Sequence, residues 1–227
     1  MSNARPSTSP RRIERTFGFV DLEGFTALTE SQGDEDAARI ATQFAKLTSS
    51  VLGPGDHLVK SIGDAVLVTS PSATSGVALV ERLFTEAAAD PRLPSLRAGL
   101  HHGSAVEKDG DVFGAAVNLA ARVAAEAHSG EVLGTDAIAD AARAAGIPVA
   151  ELGALSLKNV RGKVALFSLA LVVGVAETPV DPVCHASVDR RTAVGRLSHD
   201  GVEYWFCSLT CAAAFASNPG WHTKVTR

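Results

Sequence analysis

Apolar and polar positions change period several times along the first three quarters of the chain. Thr16–Val20 reads as a strand running into Asp21-Leu22-Glu23-Gly24-Phe25-Thr26, and Ala27–Leu52 reads as largely helical until Gly53-Pro54-Gly55 stops it. His57–Ser61 and Ala65–Ser70 read as two strands joined across Ile62-Gly63-Asp64, a tight hairpin. Ser75–Ala89 is predicted as a second helix, ended by Asp90-Pro91. Leu96–Val106 is a further strand, followed by the turn sequence Lys108-Asp109-Gly110. Val117–His128 is a short amphipathic helix and Val164–Val173 a closing strand. Strands and helices interleave with hairpins, not in strict β-α repeats, which predicts an α+β fold and argues against a doubly wound sheet.

Composition alters this picture at the two ends. Residues 1–14 are rich in Ser, Pro and Arg without periodicity and are expected to be a flexible tail. At Glu177-Thr178-Pro179 the composition shifts, and beyond it lie all three cysteines, both tryptophans and the single tyrosine. The expected organisation is a main domain over 15–172, a linker over 173–179 and a small module over 180–227. The formal net charge of −4 argues against a general nucleic-acid binder. The longest apolar run, Ala165–Ala176, is shorter than the roughly 20 residues a membrane helix needs. The N-terminus has no apolar stretch of signal-peptide type, and sparse cysteines do not form a disulfide framework, so a cytoplasmic location is expected.

Candidate chemistry begins with two carboxylates at strand turns, Asp21 and Asp64. On neighbouring strands they would meet at one sheet edge, where hard oxygen ligands suit Mg²⁺ or Mn²⁺. Either Asp alone is also an ordinary turn or cap residue. Asn118 and Arg122 are four apart and share a helix face, where an amide and a guanidinium can orient a ribose and neutralise phosphate charge. The alternative is a solvated face with Arg122 paired to Glu126. His101 and His102 are read as structural or solvent-facing.

Together these segments resemble the class III adenylyl and guanylyl cyclases over about residues 16–170. Phe19 to Thr26 is similar to that family's first metal motif, Lys60-Ser61-Ile62-Gly63-Asp64 to its hairpin, and Asp111 to Arg122 to its third motif. The resemblance implies a ferredoxin-like core of βαββαβ type, with an antiparallel sheet and helices. It implies that Asp21 and Asp64 bind two Mg²⁺ or Mn²⁺ ions, that Lys60 and Asp111 select the base, that Asn118 orients the ribose and that Arg122 stabilises the transition state. Leu157 to Lys163 resembles the family's basic triphosphate contact, with Lys158 and Arg161 both candidates. Adenine offers an acceptor at N1 and a donor at N6; Lys only donates and ionised Asp only accepts, so Lys60 with Asp111 suits ATP. The implied activity is a phosphorus-oxygen lyase making cyclic AMP, in a head-to-tail homodimer with shared sites. Guanylate cyclase activity, or a catalytically silent nucleotide- or metal-sensing dimerisation module, are the alternatives. Phe113 stands where the family often has Trp.

In the C-terminal segment, Cys184, Cys207 and Cys211 are spaced C-x22-C-x3-C, and the last two would share a helix face. Thiolates favour Zn²⁺ or Cu⁺. Asp181-Pro182-Val183-Cys184 and Tyr204 to Cys211, with Phe215 and Asn218-Pro219 beyond, resemble the YHS or TRASH-like modules of metal-handling proteins. A closed tetrahedral site would draw a histidine from His185, His199 or His222. The alternative is three buried thiols acting as small hydrophobes.

Overall fold

The computed structural model describes residues 9–171, 179–184, 186, 188 and 193–223. Strand β1 (Arg11–Leu22) is followed by helices α1 (Phe25–Gln32) and α2 (Asp34–Ser50), then the hairpin of β2 (His57–Ile62) and β3 (Ala65–Ser70). Helix α3 (Ala73–Ala89) leads into β4 (Leu96–Lys108), completing a βαββαβ core with sheet order β2-β3-β1-β4, all antiparallel. This is the ferredoxin-like arrangement within an α+β fold. Beyond it come β5 (Asp111–Phe113), α4 (Ala115–Glu126), β6 (Val132–Gly134), α5 (Asp136–Ala144), β7 (Val149–Leu155) and β8 (Val164–Leu169). The sheet extends as β4-β6-β8-β7, with β4 and β6 parallel, and β5 folds back on β4.

Strand alternation divides the core between the two faces of the sheet. Val20, Leu22, Val66 and Val68 pack with Ile40 and Phe44 of α2, Val80 and Leu83 of α3 and Ile138 of α5. The alternate residues Phe17 and Leu67 face the other way and pack under Val117 and Ala120 of α4. Each fully buried side chain of this size contributes about 1.5–3 kcal/mol. Glycine permits one close approach: a methyl on Gly99 would lie 2.0 Å from the Ala124 nitrogen, so α4 rests directly on β4 there.

Several elements differ from the sequence pattern. β1 begins at Arg11, inside the expected 1–14 tail, because Arg11 to Arg15 continue the antiparallel ladder opposite Glu107 to Gly103. Residues 1–8 of that tail, and all of the expected 173–179 linker except Pro179, lie outside the described residues. The expected long first helix is two helices broken at Gly33, whose φ of 89° leaves helical space. β6, α5 and β7 are additional to the elements that the periodicity announces.

The C-terminal module is a hairpin of β9 (Gly195–His199) and β10 (Val202–Phe206) turning on Asp200-Gly201, followed by α6 (Leu209–Ser217) and α7 (Pro219–His222). Its buried residues Val183, Cys184, Ala186, Phe206, Cys211 and Phe215 join the same apolar cluster as α2 and α3. The module therefore rests on the main domain. Among the described residues, no helix is long and apolar enough to cross a membrane.

Candidate active site and thiol cluster

The antiparallel register sets Asp21, next to last in β1, opposite Ala65 of β3 on one side and Arg97 of β4 on the other. Asp64 occupies the hairpin turn just before Ala65, after Gly63 with its φ of 63°, and its carbonyl accepts from the Leu22 amide at 3.3 Å. The two carboxylates thus meet at one sheet end. Burial, then the charge of Asp21, pushes the Asp64 carboxyl above the ordinary carboxylate range.

Arg97 answers that charge. Its Nη2 and Nε donate to Asp21 Oδ2 at 2.7 and 3.0 Å, and Nε lies 3.1 Å from Glu23 Oε2. Burial works against the guanidinium's charge, but the hydrogen bond to Asp21 and the charges of Glu23, Asp21 and Asp64 outweigh it and raise its pKa. Arg97 was not among the sequence candidates: a lone charge in an apolar strand names no partner until the register is known. Oxygen donors in repelling proximity, partly neutralised by a guanidinium, fit a hard divalent cation.

Lys60 of β2 donates from Nζ to Asp111 Oδ2 of β5 at 2.7 Å, and the Val112 amide donates to Asp111 Oδ1 at 2.8 Å. The Lys60 hydrogen bond holds the Asp111 carboxyl below its usual range. A donor and an acceptor therefore stand side by side. The backbone swings from β5 into α4 at Gly114, with φ 150°. Asn118 is exposed and Arg122 half-buried on α4, beside the apolar stripe Val117, Ala120, Val123 and Ala124. Among the described residues neither side chain has a polar partner, and the alternative Arg122–Glu126 pair is not formed. Lys158 and Arg161 are exposed in the turn between β7 and β8, where Asn159 takes a φ of 61°. His101 shares a hydrogen bond of 2.8 Å with Thr135 Oγ1, and His102 one of 3.0 Å with Thr16 Oγ1.

The second cluster lies in the C-terminal module. Sulfur atoms of Cys184 and Cys207 are 3.3 Å apart and those of Cys207 and Cys211 3.9 Å apart. With a carboxylate oxygen of Asp181, the sulfurs all fall within 4.8 Å of one another. Asp181 also organises the cluster: its Oδ1 accepts from the amides of Val183 at 2.9 Å and Cys184 at 3.4 Å, and its Oδ2 from that of Cys207 at 2.8 Å. Hydrogen bonds from the Cys184 and Cys207 thiols pull the Cys211 sulfur toward the thiolate. Among the described residues no histidine joins the cluster: His199 meets the Phe215 ring edge-on and His222 lies tilted to it, with ring centroids 6.1 and 6.2 Å away. His185 lies outside the described residues. Asp181, absent from the sequence candidates as a ligand, is the fourth member of the cluster.

The chain is 36% identical over 167 residues to a pH-sensitive adenylate cyclase of Mycobacterium tuberculosis, covering 72% of this chain and 42% of that protein. It is 34% identical over 131 residues to an adenylate cyclase of Glutamicibacter nicotianae, covering 57% of this chain and 32% of that one. It thus spans less than half the length of these relatives. The adenylyl cyclase CyaB from P. aeruginosa shares the fold with a TM-score of 0.64 at 21% identity, over 74% of this chain and 98% of that structure. Residues 10–171, which hold the carboxylate pair, the Lys60–Asp111 pair and α4, match the adenylate and guanylate cyclase catalytic domain as a family, and the chain belongs to that family.

Proposed function

We propose that this chain is a class III adenylate cyclase, a phosphorus-oxygen lyase converting ATP to 3′,5′-cyclic AMP and pyrophosphate. The observation that carries the proposal is the meeting of Asp21 and Asp64 at one sheet end, and the Lys60–Asp111 donor–acceptor pair suited to adenine supports it. Asp21 and Asp64 would hold two Mg²⁺ or Mn²⁺ ions, whose chemistry is to acidify the ribose 3′-hydroxyl and screen the triphosphate. The 3′-hydroxyl gives its proton to solvent water, its oxygen bonds to the α-phosphorus, and the bond to the bridging oxygen breaks so that pyrophosphate departs. Lys60 donates to adenine N1 and Asp111 accepts from N6, which requires their mutual contact to open and readmit the base. Guanine presents the reverse edge and leaves both groups unpaired. Asn118 orients the ribose, and Arg122, unpaired on α4, neutralises charge growing on the phosphorus. Lys158 and Arg161 offer exposed cations to the outer phosphates.

The working unit is a head-to-tail homodimer, with the carboxylates of one protomer facing Lys60, Asp111, Asn118 and Arg122 of its partner. Purified protein given ATP or GTP with Mn²⁺ should form cyclic AMP in preference to cyclic GMP, and Asp21→Ala should abolish the product. No cyclic nucleotide from either substrate would end the enzyme reading. Mixed Asp21→Ala and Arg122→Ala chains should regain activity that neither has alone; continued silence would refute the shared site.

A second activity is favoured by the thiol cluster. The resemblance to YHS or TRASH-like modules, and three sulfurs gathered around one point with Asp181 behind them, support binding of a thiophilic Zn²⁺ or Cu⁺ ion. A module this small gains stability from such an ion. One equivalent of Zn²⁺ retained by the full chain, and lost in Cys207→Ser, is the expected result; no retained metal would leave the cysteines as core residues.

A further inference from the structure

The thiol cluster and the carboxylate pair are joined by one short piece of backbone. The turn holding Cys184 is closed by the Asp181 amide donating to the Ala186 carbonyl at 2.9 Å. Ala186 itself forms an antiparallel bridge with Pro94 of the main domain, and both residues are buried. The next residue, Ser95, accepts from the Glu23 amide at 2.8 Å. Leu96 and Arg97 then enter β4 opposite Leu22 and Asp21, and Arg97 grips Asp21 and Glu23. From Pro94 to Arg97 is three residues of extended chain, about 10 Å. The cysteine loop thus reaches the carboxylates through one hydrogen bond, one bridge and one strand entry, with Ala186, Pro94 and Leu96 buried.

A cavity of about 590 Å³ opens between the module and α2, lined by Gln43, Arg92, Ala186, Cys207 and Ser208 among others. Cys184 and Cys211 are fully buried while Cys207 is only partly so, and its presence in the cavity wall gives a small cation a route to the sulfurs. The same cavity wall includes Arg92, two residues before Pro94. Filling the cluster and fixing the segment 92–97 are thus events at one place.

We propose that a thiophilic cation at Cys184, Cys207 and Cys211 tightens the uptake of the divalent ion at Asp21 and Asp64, acting through the Pro94–Arg97 segment. This rests on the two readings above, the thiol site and the carboxylate site. With the cluster filled, Asp181 and Cys184 are held in place, the bridge of Ala186 to Pro94 fixes the entry to β4, and Arg97 is held against Asp21. Ordering that would otherwise accompany binding of the divalent ion is already complete, so the affinity rises.

The test is direct Mn²⁺ binding to the full chain, followed by the electron paramagnetic resonance signal of free Mn²⁺, with and without one equivalent of Zn²⁺. The expected result is a Kd for Mn²⁺ at least about fivefold lower in the Zn²⁺-loaded chain, within the usual range of coupling between sites. Cys207→Ser should abolish the Zn²⁺ response. This variant also identifies any Zn²⁺ acting directly at the carboxylates, since that effect would persist in it. Pro94→Gly, which loosens the segment but leaves the sulfurs in place, should bind one equivalent of Zn²⁺ yet show no shift in the Mn²⁺ Kd. One equivalent of Zn²⁺ bound with an unchanged Mn²⁺ Kd would overturn the coupling and leave the thiol site standing. A shift that persists in Pro94→Gly would overturn this route. Failure to retain Zn²⁺ would remove the thiol site and the coupling together, and failure to bind Mn²⁺ at all would remove the carboxylate site.

Discussion

Gly99→Ala tests whether the contact between β4 and α4 sets the catalytic geometry. A methyl at Gly99 would sit 2.0 Å from the Ala124 nitrogen and 2.5 Å from its Cα, where ordinary contact begins near 3.4 Å. Both neighbours are backbone, so no side chain can swing aside. Either strand or helix must retreat, by on the order of 1 Å once small adjustments are shared between them. The central strand is hydrogen-bonded on both sides, to β1 and to β6, so the helix is the softer partner. It carries Asn118 and Arg122. Misplacement of that size costs roughly a hundredfold in rate, and overpacking costs about 1–3 kcal/mol in stability. The matched control is Gly18→Ala on the neighbouring strand, where the new methyl meets only side chains, Val68 Cγ2 at 3.0 Å and Leu100 Cγ at 3.9 Å, and no backbone within 4 Å. Cyclic AMP formation under saturating ATP and Mn²⁺, alongside urea denaturation, compares the two. A Gly99→Ala enzyme with kcat within threefold of wild type, or a Gly18→Ala variant equally impaired, would refute the reasoning.

Three further outcomes are expected. Arg82→Ala strips the charge partner from Asp56, whose side chain is 2% exposed and which Arg82 meets at 3.0 Å; because Arg82 is itself 43% exposed and the Gly53 amide still donates to Asp56, the loss should be about 2 kcal/mol by urea denaturation. Burial, then the nearby charge of His102, holds the His101 imidazole below its ordinary range. The unfolded chain therefore takes up that proton first, near pH 6.5, and native stability should fall as pH drops through that point by up to about 1.4 kcal/mol per pH unit, a slope that His101→Gln should reduce in Tm measurements. Lys60→Glu removes the donor for adenine N1 and sets a second carboxylate against Asp111, so the ratio of cyclic AMP to cyclic GMP formed from equal ATP and GTP should fall by about a hundredfold; an unchanged ratio would show that this pair does not read the base.

Much of the core was legible because its signals are local. The apolar run of Thr16–Val20, the Gly63-Asp64 turn and the Gly-Pro-Gly stop at residues 53–55 each specify local geometry. The β2-β3-β1-β4 order is what the family resemblance implied, since local signals name elements and not their neighbours. Residues 129–163 were less legible. β6 is three residues long, and α5 is built mostly of alanines between isolated apolar positions, so neither shows a sustained period. Gly33 was hidden inside a long helical pattern, since a lone glycine does not by itself end a helix. In the candidate site, residues on motifs could be named in advance, whereas Arg97 and Asp181 act across strands or loops. Arg97 depends on the pairing of β1 with β4. Asp181 depends on Cys207 arriving from 26 residues further along the chain.

The grip of Arg97 on Asp21 and Glu23 has a consequence for how the protein is made and kept. Three acidic side chains are gathered at one end of a sheet, and such a cluster would ordinarily oppose folding until a cation arrived. Here the neutralising charge is encoded in the chain itself, on the strand that must pair with β1 for the core to exist at all. The repulsion among these carboxylates is therefore met within the fold itself. On the proposed function, Arg97 is the internal counter-ion that an incoming divalent cation would have to displace.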